Sequence, residues 1–180
     1  MQTSQPVAVL AYPEIAESDR AWVEDLRRVE DPEYDAVRPH FTLAFPSPVA
    51  THDALLHASI VAEGFPRVTF ELNMAKAVPN LVRGGCHVFL VPTVGAEEIE
   101  ALHDSLYEGP FGPHRLPGVP FIPHMTVGAH SSIRESQALA ATVNDNVRTI
   151  KGCIHSIDVV EVWAEKTPSL GTLPLRATDL

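Results

Sequence analysis

Residues 38–44 read Arg38-Pro39-His40-Phe41-Thr42-Leu43-Ala44, and residues 122–128 read Ile122-Pro123-His124-Met125-Thr126-Val127-Gly128. Both stretches are Pro-His-apolar-Thr-apolar-small. Successive side chains of a strand point to opposite faces. His40 and Thr42 therefore share a face, as do His124 and Thr126. Phe41 and Leu43, or Met125 and Val127, turn the other way and enter a core. Each strand anchors itself with one side and offers an imidazole and a hydroxyl with the other.

Around each motif the same order of elements recurs. In the first half, Val7 to Ala11 is an apolar strand closed by Tyr12-Pro13. Ser18 opens a helix with Trp22, Leu26 and Val29 at helical spacing, stopped by Pro32. The motif strand, Arg38 to Phe45, comes next. Thr51 caps a helix carrying Leu55, Leu56 and Ile60 that ends near Gly64, and Arg67 to Asn73 alternates as a half-buried strand. In the second half, Cys86 to Val91 is a strand and Glu97 to Tyr107 a helix with Ile99, Leu102 and Leu106 on one face. Phe121 to Gly128 is the motif strand. Ser132-Ile-Arg-Glu135 has the pattern of a capping box before a helix with Leu139, Val143 and Val147 in register. Ile154 to Trp163 is the last strand. The chain is β-α-β-α-β twice over, with pseudo-repeats of about 1–78 and 79–180 inside a single domain.

Composition narrows the chemistry. Thirteen Lys and Arg against 23 Asp and Glu give a formal net charge of −10 over 180 residues. Few cations remain to follow a long phosphate backbone, which disfavours an extended duplex as ligand. Apolar residues at 45% exclude a disordered polyelectrolyte. Cys86 and Cys153 have no CxxC spacing and suit a reducing cytoplasm. Met1-Gln-Thr-Ser-Gln-Pro6 has no basic patch before an apolar run, and no run approaches a membrane span.

The two motifs, His40-Phe41-Thr42-Leu43 and His124-Met125-Thr126-Val127, resemble the paired His-x-Thr/Ser-x signature of the 2H phosphoesterase superfamily. That superfamily includes the 2′-5′ RNA ligase-like proteins and the cyclic nucleotide phosphodiesterases. The resemblance extends over nearly the whole chain, because the duplicated element order fits as well. It implies an α+β fold of two pseudo-symmetric lobes, each a mostly antiparallel sheet with helices outside, and an active-site cleft between them. Element order by itself suggests parallel βαβ units; the antiparallel expectation comes from the resemblance.

Two imidazoles with an ordinary pKa near 6.5 can supply one base and one acid at neutral pH, as the opening of a phosphodiester requires. The threonine hydroxyls can donate to non-bridging oxygens as charge builds there. His40, Thr42, His124 and Thr126 are thus the expected catalytic set, with no cofactor and no metal in the scheme. The resemblance favours a 2′,3′-cyclic phosphate as substrate and a 2′-phosphate as product. The reverse reaction, with an RNA 5′-hydroxyl in place of water, is ligation. Candidates for substrate binding are Arg115, before the second motif; Arg83, in the loop Pro79 to Gly85; and Tyr12, as a stacking surface for a base. Each also has a plain structural reading as a solvated cation or a packed rim aromatic. His103-Asp-Ser105 and His130-Ser-Ser132 repeat the His-x-Ser pattern but fall in a helix and a loop. Glu100 and His103, at i and i+3, are a weak metal pair, and His87 and His155 read as structural. The expected partner is a small nucleotide or a short RNA end, met by a monomer in the cytoplasm, with no membrane. The competing readings are a histidine-rich metallohydrolase and a nucleotide-binding module without turnover.

Overall fold

Nine strands and four helices make up the computed structural model, which describes residues 5–146 and 148–177. Val147 therefore lies outside the described residues, as do the first four positions. In chain order the elements are β1 (Val7–Ala11), β2 (Glu14–Ile15), α1 (Glu17–Glu30), β3 (Phe41–Ser47), α2 (Thr51–Gly64), β4 (Val68–Pro79) and β5 (Cys86–Val94). They continue with α3 (Ala96–Tyr107), β6 (Met125–His130), α4 (Ile133–Asp145), β7 (Ile150–Ile154), β8 (Ser156–Glu161) and β9 (Ser169–Pro174).

The strands form one sheet in the order β2-β7-β4-β5-β6-β3-β1-β8-β9, and every pairing in it is antiparallel. The parallel units suggested by element order do not form. The reason is that α1 and α3 each cross from one half of the sheet to the other: α1 packs on β6, and α3 on β3. At the centre, β3 and β6 meet at a single pair, Phe41 opposite Met125. Beyond it each strand runs off beside its own neighbour, β3 along β1 and β6 along β5.

The two halves of the sheet share one irregularity at the motif. Leu10 pairs with Thr42 and Val9 with Ala44, so Leu43 is an extra residue at a bulge. Phe89 pairs with Thr126 and Val88 with Gly128, so Val127 is the extra residue in the other half. Each bulge falls just after the motif threonine, where it re-aims the strand. The small residue that ends each motif has a packing reason. Ala44 is fully buried. A Cβ on Gly128 would lie 2.8 Å from Leu139 Cδ2 and 3.2 Å from Glu30 Cβ, where α4 and α1 press on β6.

Four expectations need correction. The buried face of α1 is Val23 and Arg27, with Trp22 and Leu26 half-buried at its edge; Val29 is 78% exposed. In α2 the small residues Ala54, Ala58 and Ala62 face the core with Val61, while Leu56 and Ile60 face out. Close helix-to-sheet approach favours alanine there over larger side chains. Finally, the strand expected over Ile154 to Trp163 is two strands, β7 and β8, divided at His155, and β8 gains a partner, β9. Neither Ser18 nor Thr51 caps a helix. The cap positions are Ala16 and Ala50, and Ser132, though at the cap of α4, makes no side-chain capping bond.

Candidate active site

The central pair sets the site. Phe41, Leu43, Met125 and Val127 are at most 1% exposed and belong to the main core, so the alternate residues His40, Thr42, His124 and Thr126 occupy the opposite face, all partly exposed. The strands are antiparallel and Phe41 faces Met125. His40 and His124 stand one residue before that pair, just ahead of their strands, and Thr42 and Thr126 one residue after it. The four side chains are a mirrored cluster about the centre of the sheet.

Each imidazole is held the same way. His40 Nδ1–H donates to the Arg38 carbonyl at 2.7 Å, and His124 Nδ1–H donates to the Ile122 carbonyl at 2.5 Å. A carbonyl can only accept, so the proton of the neutral ring sits on Nδ1 and the lone pair of Nε2 is directed elsewhere. Thr42 Oγ1 lies 3.2 Å from His40 Nε2, where its hydroxyl donates. The proline before each histidine has no N–H and a fixed φ, and it sits between the ring and the carbonyl that holds it.

Burial lowers the pKa of both histidines to about 4. The desolvation of the imidazolium is the main cause, partly offset by the carbonyl that each ring binds. For His124 the neighbouring His40 and His87 push further in the same direction, and for His40 the Arg27 guanidinium does so against Asp31. Both rings are neutral near pH 7 in the free protein.

The supports of the two rings differ. The His124 ring lies flat on Phe89 at 3.5 Å between centroids, and Phe89 is in turn stacked with His87 at 5.6 Å. His40 instead meets Tyr12 edge-on at 6.1 Å. Beneath His40, Arg27 Nε donates to Asp31 Oδ2 at 2.8 Å and Arg27 Nη2 to the Val37 carbonyl at 2.9 Å, pinning the segment that leads into the first motif. His87 accepts from Asn80 Nδ2 on Nε2 at 2.9 Å, and its Nδ1 is buried without a partner among the described residues.

Of the other candidates, Tyr12 reaches the site, but the Arg38 guanidinium sits 4.1 Å over its ring, so this face is not open to a base. Arg115 is paired with Asp104 and lies over Tyr107, tied to α3. Arg83 is exposed at the tip of the β4–β5 hairpin, its backbone N–H bonded to Asn80 Oδ1 at 2.9 Å. His103 is buried, donating to the Leu43 carbonyl at 2.7 Å and stacked on Phe121. His130 bridges Glu30 and Ser136 at 2.9 Å each, between α1, β6 and α4. His155 lies 3.1 Å from Glu14. Among the described residues, no three His, Cys, Asp or Glu side chains are grouped to hold a metal ion.

Phe89, His87, Arg27 and Arg38 are neighbours of the motifs to which the sequence assigns no part in the site; His87 reads there as structural. For the first two a signal exists: His87-Val88-Phe89 alternates on the strand equivalent to β1, and Phe89 is the counterpart of Leu10.

Two matched half-sheets presenting two His-x-Thr pairs define a protein of the paired-histidine phosphoesterase class. The chain belongs to the 2′-5′ RNA ligase superfamily, whose family model matches residues 14–164. No curated protein sequence matches it. Among solved structures, TT0787 of Thermus thermophilus is similar over 97% of this chain and 100% of its own, with 18% identity and a TM-score of 0.65. E. coli LigT complexed with NADP+ is similar over 95% and 98%, with 15% identity and a TM-score of 0.57. At these identities the likeness is one of fold.

Proposed function

We propose that this protein hydrolyses 2′,3′-cyclic phosphates of nucleotides or RNA ends to 2′-phosphates, with His40 and His124 as the acid–base pair. The observation that carries this reading is the mirrored tautomer: both rings donate Nδ1–H to a backbone carbonyl, which leaves the basic lone pair on Nε2, and that of His40 accepts from the Thr42 hydroxyl. One neutral Nε2 takes a proton from water as the water oxygen bonds to phosphorus. The P–O3′ bond breaks, its electron pair stays on O3′, and the other ring, as imidazolium, protonates that oxygen from Nε2. Thr126, and Thr42 once its hydroxyl turns from His40 Nε2, donate to the non-bridging oxygens, where charge grows in the transition state.

Since both rings are neutral in the free protein at pH 7, the acid is charged only once substrate is present. The phosphate anion favours the imidazolium beside it and draws in that proton. The same atoms run backwards in ligation, with a 5′-hydroxyl in the place of water, and the description of the family keeps that reaction in view. The substrate is a small nucleotide or a short RNA end, in keeping with the charge of −10, and the setting is a cytoplasmic monomer.

The test is turnover of a panel of 2′,3′-cyclic nucleotides and short cyclic-ended RNAs, with and without chelator, with the product phosphate located by NMR. His40→Ala and His124→Ala should each lose about 10²–10⁴-fold in kcat while the fold persists. Near-wild-type rates in both variants would sink the mechanism, and loss of activity in chelator would favour a metallohydrolase.

A further inference from the structure

Beside His40 lies a notch where the chain crosses between the halves of the sheet. Its floor is the two-residue link from β1 to β2, Tyr12-Pro13, and its walls are Arg38-Pro39, Arg20 of α1, and the facing pair Glu14 and His155. The open volume is about 250 Å³, enough for a phosphate group and several waters.

Two guanidinium groups face this space, and they differ in how they are held. Arg20 has only a loose contact, 3.8 Å, with the exposed Glu17. Arg38 makes no ion pair among the described residues and rests on the Tyr12 ring. In a chain of net charge −10, an arginine without a carboxylate next to a reacting histidine is a strong local field. The one carboxylate in the notch, Glu14, is engaged with His155 Nε2 at 3.1 Å. The backbone of Arg38 holds His40 through its carbonyl while the same residue lines the notch, so the notch adjoins the histidine through two consecutive residues, Arg38 and Pro39.

We propose that this notch is a second anion subsite, which takes the 5′-phosphate of the nucleoside whose cyclic phosphate lies between His40 and His124. The inference rests on the proposed function and names its substrate more narrowly. A bare cyclic nucleotide fills only the histidine cluster; a cyclic nucleoside with a 5′-phosphate, either free or joined to a preceding nucleotide, fills both. Stacking on Tyr12 presets the Arg38 guanidinium, so little side-chain freedom is lost when the phosphate arrives.

The experiment compares the binding of two product analogues by calorimetry, adenosine 2′-phosphate and adenosine 2′,5′-bisphosphate, in wild type, Arg38→Gln and Arg20→Gln. The bisphosphate should bind about tenfold or more tightly in wild type, the worth of a charge-assisted contact. That ratio should shrink with added salt. It should fall towards one in Arg38→Gln and part of the way in Arg20→Gln. Equal affinities in wild type, a ratio that survives both substitutions, or no binding of either analogue would overturn the subsite. Hydrolysis of adenosine 2′,3′-cyclic phosphate, assayed in parallel, reports on the proposed function separately, because the binding ratio needs no turnover.

Discussion

His40 and His124 combine a fixed tautomer with a depressed pKa, and the two properties have opposite uses. In the proposed mechanism the tautomer readies each Nε2 as a base, and the low pKa withholds the acid until an anion binds. Free protein should therefore show both imidazole NMR titrations near pH 4 and not near the ordinary 6.5. With a bound nucleotide 2′-phosphate, at least one should move up by a unit or more, and calorimetry at pH 7 in buffers of different ionisation enthalpy should report proton uptake. Two titrations near 6.5 in the free protein would remove the basis for substrate-triggered protonation. The sign for stability follows from the same shifts. The unfolded chain protonates its histidines first, so the contribution of this pair is whole above about pH 6.5 and is lost as pH falls through about 4. The rings also differ in support, which makes Phe89 a positioning residue for His124 alone. Phe89→Leu removes a stacked contact worth about 0.5–1.5 kcal/mol. It should lower kcat more than it raises KM and shift the His124 titration while leaving that of His40 in place.

At the level of elements, strand identity was legible wherever a strict alternation faced a core on one side. Val68, Phe70 and Leu72 of β4 are buried as their spacing implies, and the motif strands behave alike. Helix faces were less legible, because size and burial parted company. Leu56 and Ile60 are apolar yet exposed, while Ala54 and Ala58 are buried where α2 lies close to the sheet. β9 carries no periodic apolar signal, because its residues are half-exposed or exposed along an edge. The least legible feature is Arg27, a charge at a core position of α1. It belongs there because Asp31 and the Val37 carbonyl are folded over it, although Nη1 remains without a partner among the described residues. Removing one member of a buried ion pair leaves the other uncompensated, at a cost of about 3–5 kcal/mol. Asp31→Ala should lose stability of that order in urea unfolding. A loss under about 1 kcal/mol, the level of an exposed pair, would mean that Arg27 finds water or another acceptor and that the segment before His40 is not held from below.

For the whole molecule, the duplication in the sequence and the division of the sheet do not coincide. β4 comes from the first pseudo-repeat but pairs with β5 and β7, while β8 and β9, from the second, complete the side of β1. A single residue, His155, separates β7 from β8, and two residues separate β1 from β2, so the chain passes between the halves at short range near the site. Helices α1 and α3 cross as well, and Phe41 of β3 meets Phe70 of β4 edge-to-face at 5.0 Å through the common core. Neither pseudo-repeat owns a complete half-sheet with its covering helices. Interleaving of this kind couples the two halves, so unfolding should be one cooperative transition, with the circular dichroism and tryptophan fluorescence curves superimposed in urea. Fragments 1–78 and 79–180, expressed apart, should each fail to fold, since each lacks a central partner for one of its strands. Two separated transitions, or a folded fragment, would show that the halves are independent units. The same coupling bears on function. The two histidines come from different pseudo-repeats, so the distance between them is set by the Phe41–Met125 pair and the shared core beneath it. Met125→Ala opens a cavity under that pair and should cost about 2–5 kcal/mol. If the core fixes the spacing of the histidines, turnover in this variant should fall under conditions where the protein is still fully folded. Unchanged kcat in folded Met125→Ala would show that the strands keep their register without the core beneath them.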